Sequence, residues 1–102
     1  MKLVNLHIYL ENHEDETYEV FKKACESFKE HGVKEISVSP MRDYGEFGEV
    51  YLTLQLDENY LTELLNFMSD AWDGPEDDCM CTSFTSHVFH DSINTIYFTM
   101  YD

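Results

Sequence analysis

Two stretches of this chain alternate apolar and polar side chains strictly, and that period of two constrains the fold more than any other feature. In the first, Val4, Leu6, Ile8 and Leu10 interleave with Asn5, His7 and Tyr9; in the second, Val50, Leu52, Leu54 and Leu56 interleave with Tyr51, Thr53 and Gln55. Successive side chains of a strand point to opposite faces, so each stretch builds a sheet with one apolar face to cover and one tyrosine-bearing face left over.

The cover comes from two helical patterns. From about Glu14 to His31, Thr17, Val20, Phe21, Ala24 and Phe28 recur at helical spacing; Glu14, Asp15 and Glu16 lie at the start, where they oppose the helix dipole. Gly32 follows, where a left-handed cap is expected. Asp57 is a suitable N-cap for a second helix from Glu58 to about Trp72, with Leu61, Leu64, Leu65 and Met68 as its buried stripe. Between the helices, Val33 to Ser39 reads as a strand, PMRDYGEFG as a loop, and Glu49 to Leu56 as the next strand. The loop DGPEDD, Asp73 to Asp78, ends the second helix, and Cys79 to Tyr101 reads as two strands joined by a tight turn near Asp91 and Ser92.

The pattern predicts one α+β domain over residues 1–102. It is a ferredoxin-like βαββαβ sandwich with an added C-terminal antiparallel strand and both helices on one face of the sheet. The expected sheet runs from the Val33 strand through the Glu49 strand and the N-terminal strand to the Cys79 strand, with the last strand on the edge.

Charge then narrows the partners. Lys and Arg number 6 against 21 Asp and Glu, a formal net charge of −15, which repels nucleic acid and anionic lipid and attracts basic proteins. The six basic residues and eight acids of residues 1–42 leave a net of −2, whereas residues 43–102 carry thirteen acids and no Lys or Arg. A sixty-residue run without a cation is expected to form one negative region, from Asp43, Glu46 and Glu49 around one turn and Asp73, Glu76, Asp77 and Asp78 in another. The alternation sends Tyr9, Tyr51, Phe89, Tyr97 and Tyr101 to the uncovered face, together with His7, Thr53, His87, Thr95 and Thr99. Tyrosines beside acids suit protein recognition, since they offer much contact area for little rotamer entropy.

Catalytic and metal chemistry find less support. Phosphate-cradling, HExxH and GxSxG motifs are missing, and the neighbouring His90, Asp91 and Ser92 cannot all converge on one carbonyl. The run Cys79-Met80-Cys81 with His87 and His90 matches no familiar zinc knuckle, and DGPEDD lacks EF-hand spacing. No cofactor or metal is expected. Three cysteines, Cys25, Cys79 and Cys81, cannot form a complete disulfide framework, and the N-terminus lacks signal-peptide character, so a reducing cytoplasm is the expected setting.

In size, charge and tyrosine content, as in MRDYGEFGEVYLTLQ and DAWDGPEDD, the chain resembles small acidic phage-type inhibitors of bacterial defence nucleases, anti-CRISPR proteins among them. It also resembles the small acidic immunity proteins that neutralise nuclease toxins. The resemblance implies a non-enzymatic inhibitor that occupies the basic nucleic-acid-binding surface of a nuclease or ribonucleoprotein. The competing expectation is a homodimeric structural or ligand-binding module whose open sheet faces pair.

Overall fold

The N-terminal alternation is realised in full in the computed structural model, which describes residues 1–101. In β1, Lys2–Leu10, the residues Val4, Leu6, Ile8 and Leu10 are buried, while Asn5, His7 and Tyr9 lie half-buried on the other face. The remaining elements are α1 (Asp15–Ala24), β2 (Val33–Val38), β3 (Arg42–Tyr44), β4 (Phe47–Leu56), α2 (Leu61–Met68), β5 (Asp78–Thr82) and β6 (Ile93–Tyr101). They form an α+β fold: a six-stranded antiparallel sheet ordered β2-β4-β1-β6-β5, with β3 paired to β4 beside β2.

The helices cover one sheet face. Phe21 of α1 and Leu64, Leu65 and Met68 of α2 join the inward residues of β1, β4 and β6 in one apolar core, with Phe28 between them. Fully burying a side chain of this size contributes about 1.5–3 kcal/mol, so this layer carries most of the fold's stability.

The expected first helix divides in two. After Ala24 the chain tightens into a 3₁₀ segment, Cys25–His31, whose three-residue turn puts Cys25 and Phe28 on one buried line. Ser27 Oγ donates to the Ala24 carbonyl at 2.7 Å across the junction. Gly32 ends the segment at φ 85°, and a Cβ there would lie 2.3 Å from Tyr60 Cβ, so only glycine fits.

The second helix is shorter than its pattern suggests. A 3₁₀ turn, Glu58–Tyr60, precedes α2, with the Asp57 side chain accepting from the Asn59 amide as its cap. The helix stops at Met68, because buried Ser69 turns extended and bridges to Val88. Trp72 then folds back, and its indole Nε1 donates at 2.9 Å to the Leu65 carbonyl, which also accepts from the Ser69 amide at 3.0 Å.

Two further expectations are corrected. PMRDYGEFG is a hairpin rather than a loop: Tyr44 pairs with Phe47 across Gly45 and Glu46, and Gly45 takes φ 62° at the first turn position. The C-terminal strands exchange places. β6 lies beside β1 and β5 is on the edge, and residues 83–92 join the two in place of a tight turn. Those ten residues leave the sheet between the two strands. Phe89 is thereby carried to the helical side, where it packs on Phe21, Phe28 and Phe67 at ring separations of 6.3, 5.0 and 5.8 Å. No helix among the described residues is long and apolar enough to cross a membrane.

Candidate recognition surface

Register alone decides which side chains meet on the face that the helices leave open. His7 stands opposite Tyr51 of β4 and Tyr97 of β6, and Tyr97 opposite Met80 of β5. One step along, Tyr9 stands opposite Glu49 and Thr95, and Glu49 opposite Arg42 of β3. In the other direction lies a polar row, Ser37, Thr53, Asn5, Thr99 and Asp78. The open face is therefore an aromatic band bordered by hydroxyl and amide groups.

The band is packed. His7 stacks on Tyr51, with ring centroids 4.3 Å apart and an interplanar angle of 11°. It also touches Tyr9 at 4.8 Å and Tyr97 at 5.7 Å. Tyr9 reaches Tyr44 at 5.3 Å and Phe47 at 6.5 Å. Offset and tilted rings at these separations attract beyond their buried area, by about 0.5–1.5 kcal/mol per pair. Mutual packing holds Tyr44, Tyr51 and Tyr97 without hiding them: these and Tyr101 remain 42–57% exposed. Among the described residues none of the phenols of Tyr9, Tyr44, Tyr51, Tyr97 and Tyr101 hydrogen-bonds to another protein group; Tyr18, on the helical side, instead donates to the Ser39 carbonyl at 2.7 Å.

At the centre of the band sits one carboxylate. Glu49 is only 8% exposed, and its Oε2 accepts from His7 Nε2 at 3.0 Å. The Tyr9 hydroxyl has a raised pKa, from partial burial first and then from Tyr44 and Glu49 nearby. The phenol therefore stays protonated and able to donate across the neutral range.

The other six acids expected to form one negative region lie in two separate groups instead. Asp43 and Glu46 flank the β3–β4 turn beside Tyr44, with Asp43 Oδ1 3.4 Å from His13 Nδ1. Asp73, Glu76, Asp77 and Asp78 lie along the β5 edge, where Asp73 and Met80 exchange backbone bonds of 2.8 and 2.9 Å. Four strand spacings separate the two edges, about 19 Å. The two sequence clusters flank the rings from opposite sides because β1 and β6 pass between them.

Of the site residues read from sequence, Tyr9, Tyr51, Tyr97, Tyr101 and Glu49 share the open face, while Asp43 and Glu46 border one edge and Asp73, Glu76, Asp77 and Asp78 the other. Phe89 does not belong, and His87 lies in the 83–92 connection with its amide donating to Asp70 Oδ1 at 2.8 Å. Tyr44, Phe47 and Arg42 were missed because their segment read as a loop; the glycine between alternating residues was the signal for a hairpin. Phe84, 82% exposed in the 83–92 connection, carried no signal at all.

The thiols offer no reactive group to the surface. Cys25, Cys79 and Cys81 are free and point into the core; burial pushes Cys25 up to about 12 and Cys79 to about 11, and raises Cys81 as well. Neutral buried thiols are poor nucleophiles and poor ligands. Among the described residues no three His, Cys, Asp or Glu side chains stand together as a metal site. Compared with known proteins, the chain matches no family model, no curated protein and no solved structure.

Proposed function

We propose that this chain is a non-enzymatic inhibitor that covers a basic nucleic-acid-binding surface on a nuclease or ribonucleoprotein. The observation that carries this reading is the open sheet face, a pre-packed band of rings with free phenols set between two acidic edges. Carboxylates on both edges steer a basic partner in and pair with its Lys and Arg. The rings supply the desolvated anchor that charge alone does not give. Direct binding of nucleic acid is disfavoured by the net charge of −15. We further read the β1-α1-β2-β4 unit as a split βαβ of ferredoxin type, in which the open face is the usual place for a partner.

The test is cleavage by candidate nucleases and guide-RNA effectors in the presence of the purified chain. Stoichiometric inhibition that weakens steeply between low and high salt is the expected result. Inhibition or binding that is indifferent to salt, or absent from every nuclease and ribonucleoprotein tried, contradicts the proposal.

A further inference from the structure

Glu49 has an unusual position for a carboxylate on a chain this acidic. It is held among Tyr9, Tyr51 and His7 rather than at the rim, with only 11% of its side chain exposed. His7 occupies one oxygen, Oε2, and no protein donor among the described residues reaches the other, Oε1. That second oxygen opens onto the band's surface, where a donor from outside the chain can reach it. The cation of this chain nearest in register is Arg42, directly opposite on β3, but its side chain is exposed and forms no ion pair with Glu49.

We propose that the basin formed by Glu49, Tyr9, Tyr51 and Tyr97 is a seat for a single arginine guanidinium of the partner protein. The proposal rests on the inhibitor reading for its partner and adds the chemistry of the central contact. A guanidinium fits on three counts. Its flat face stacks on phenol rings, its edge donates to a carboxylate oxygen, and it sheds water more easily than an ammonium. Lysine offers one strongly hydrated point charge and loses the stacking. Nucleic-acid-binding grooves carry arginines in this pose to stack on bases and pair with phosphates, so rings beside a carboxylate present them with both features at once. The remaining phenols can accept from or donate to the groups around that arginine.

The test needs no knowledge of the natural target. The labelled protein is titrated with hexaarginine and with hexalysine, equal in charge, while the aromatic NMR signals are followed. Hexaarginine should bind at least about fivefold more tightly, the difference of roughly 1 kcal/mol expected from stacking. It should shift the signals of Tyr9, Tyr51 and Tyr97. Tyr51→Leu, an exposed position that leaves the core alone, should reduce that preference below about twofold while weak binding of both peptides persists. Glu49→Gln should do the same, and replacing Asp77 and Asp78 by Lys should weaken both peptides equally.

Equal affinity for the two peptides, shifts confined to residues 73–78, or no shift at all would overturn the proposal. So would ring shifts that appear only in Arg42→Ala, which would make Arg42 the resident of the basin, or a dimer that both peptides leave intact. Nuclease inhibition with unmoved ring signals would remove the arginine seat and leave the inhibitor standing. Arginine-selective shifts without inhibition of any nuclease would do the reverse.

Discussion

The two faces of one sheet divide the work of this molecule. Under the helices, β1, β4 and β6 turn Val4, Leu6, Ile8, Val50, Leu52, Leu54, Ile96 and Phe98 into a core with almost no exposed surface. On the other side the same three strands hold His7, Tyr9, Tyr51 and Tyr97 in contact with each other and with solvent. Both faces are aromatic-rich and well packed. The difference is polar satisfaction: the covered face has few polar groups to satisfy, while the open face keeps five phenols and a carboxylate oxygen without a protein partner among the described residues. Stability is therefore concentrated on one face and unused recognition capacity on the other.

Substitution should separate these roles, and the largest effect belongs to the covered face. Phe28→Ala removes a fully buried ring that also contacts Phe67 and Phe89. It should cost about 3–5 kcal/mol in urea or thermal unfolding. Tyr51→Ala should cost about 1 kcal/mol or less, yet abolish most partner binding. Similar stability losses at the two positions would break the comparison.

Next comes the His7–Glu49 hydrogen bond at the heart of the open face. His7→Ala leaves the Glu49 carboxylate short of its donor and should destabilise by about 1–3 kcal/mol. A double-mutant cycle with Glu49→Gln should return a coupling of at least about 0.5 kcal/mol. Zero coupling would mean that the rings alone organise the band.

The buried thiols make a pH prediction for the covered face. Cys25 ionises at an ordinary value of 9.0 when unfolded and at about 12 when folded, so above pH 9 the unfolded chain binds fewer protons than the folded one. Its stabilising contribution is complete below 9 and is lost as pH rises toward 12, by roughly 1.4 kcal/mol per unit of pH. Urea midpoints measured from pH 8 to 11 should fall more steeply for the native chain than for Cys25→Ala.

The smallest stability effect is expected at the β5 edge. Replacing Asp77 and Asp78 by Lys should leave unfolding within about 0.5 kcal/mol, because both are exposed. Association with a basic partner should nevertheless slow and lose much of its salt dependence. A change in dissociation alone would place the acids inside the contact rather than at its rim.

How much of this was legible beforehand follows from the same contrast. The strand periods placed residues 4–10 of β1 and 50–56 of β4 on their correct faces, because a one-residue slip would invert an entire face. Local chemistry also marked Gly32 and Asp57 as element ends. The β3–β4 hairpin was missed at a local turn, and the other failures at the open face concern long-range partners. Phe89 carries the same alternation signal whether it continues a strand or fills the gap between Phe21, Phe28 and Phe67, and only the ten-residue connection decides between them. Ser69 ends α2 through a bridge to Val88, nineteen positions away and silent in the helical pattern. The acidic run looked continuous along the chain, but β1 and β6 hold its two clusters apart on opposite edges.

Sedimentation velocity of the purified chain over a wide concentration range, with tyrosine accessibility followed in parallel, tests the division most directly. A free recognition face predicts a monomer of 12.1 kDa at every concentration, with Tyr51 and Tyr97 open to modification. A dimer of twice that mass in which those two tyrosines become protected would mean that the face is satisfied by its own copy, and the account of a heterologous partner would fail.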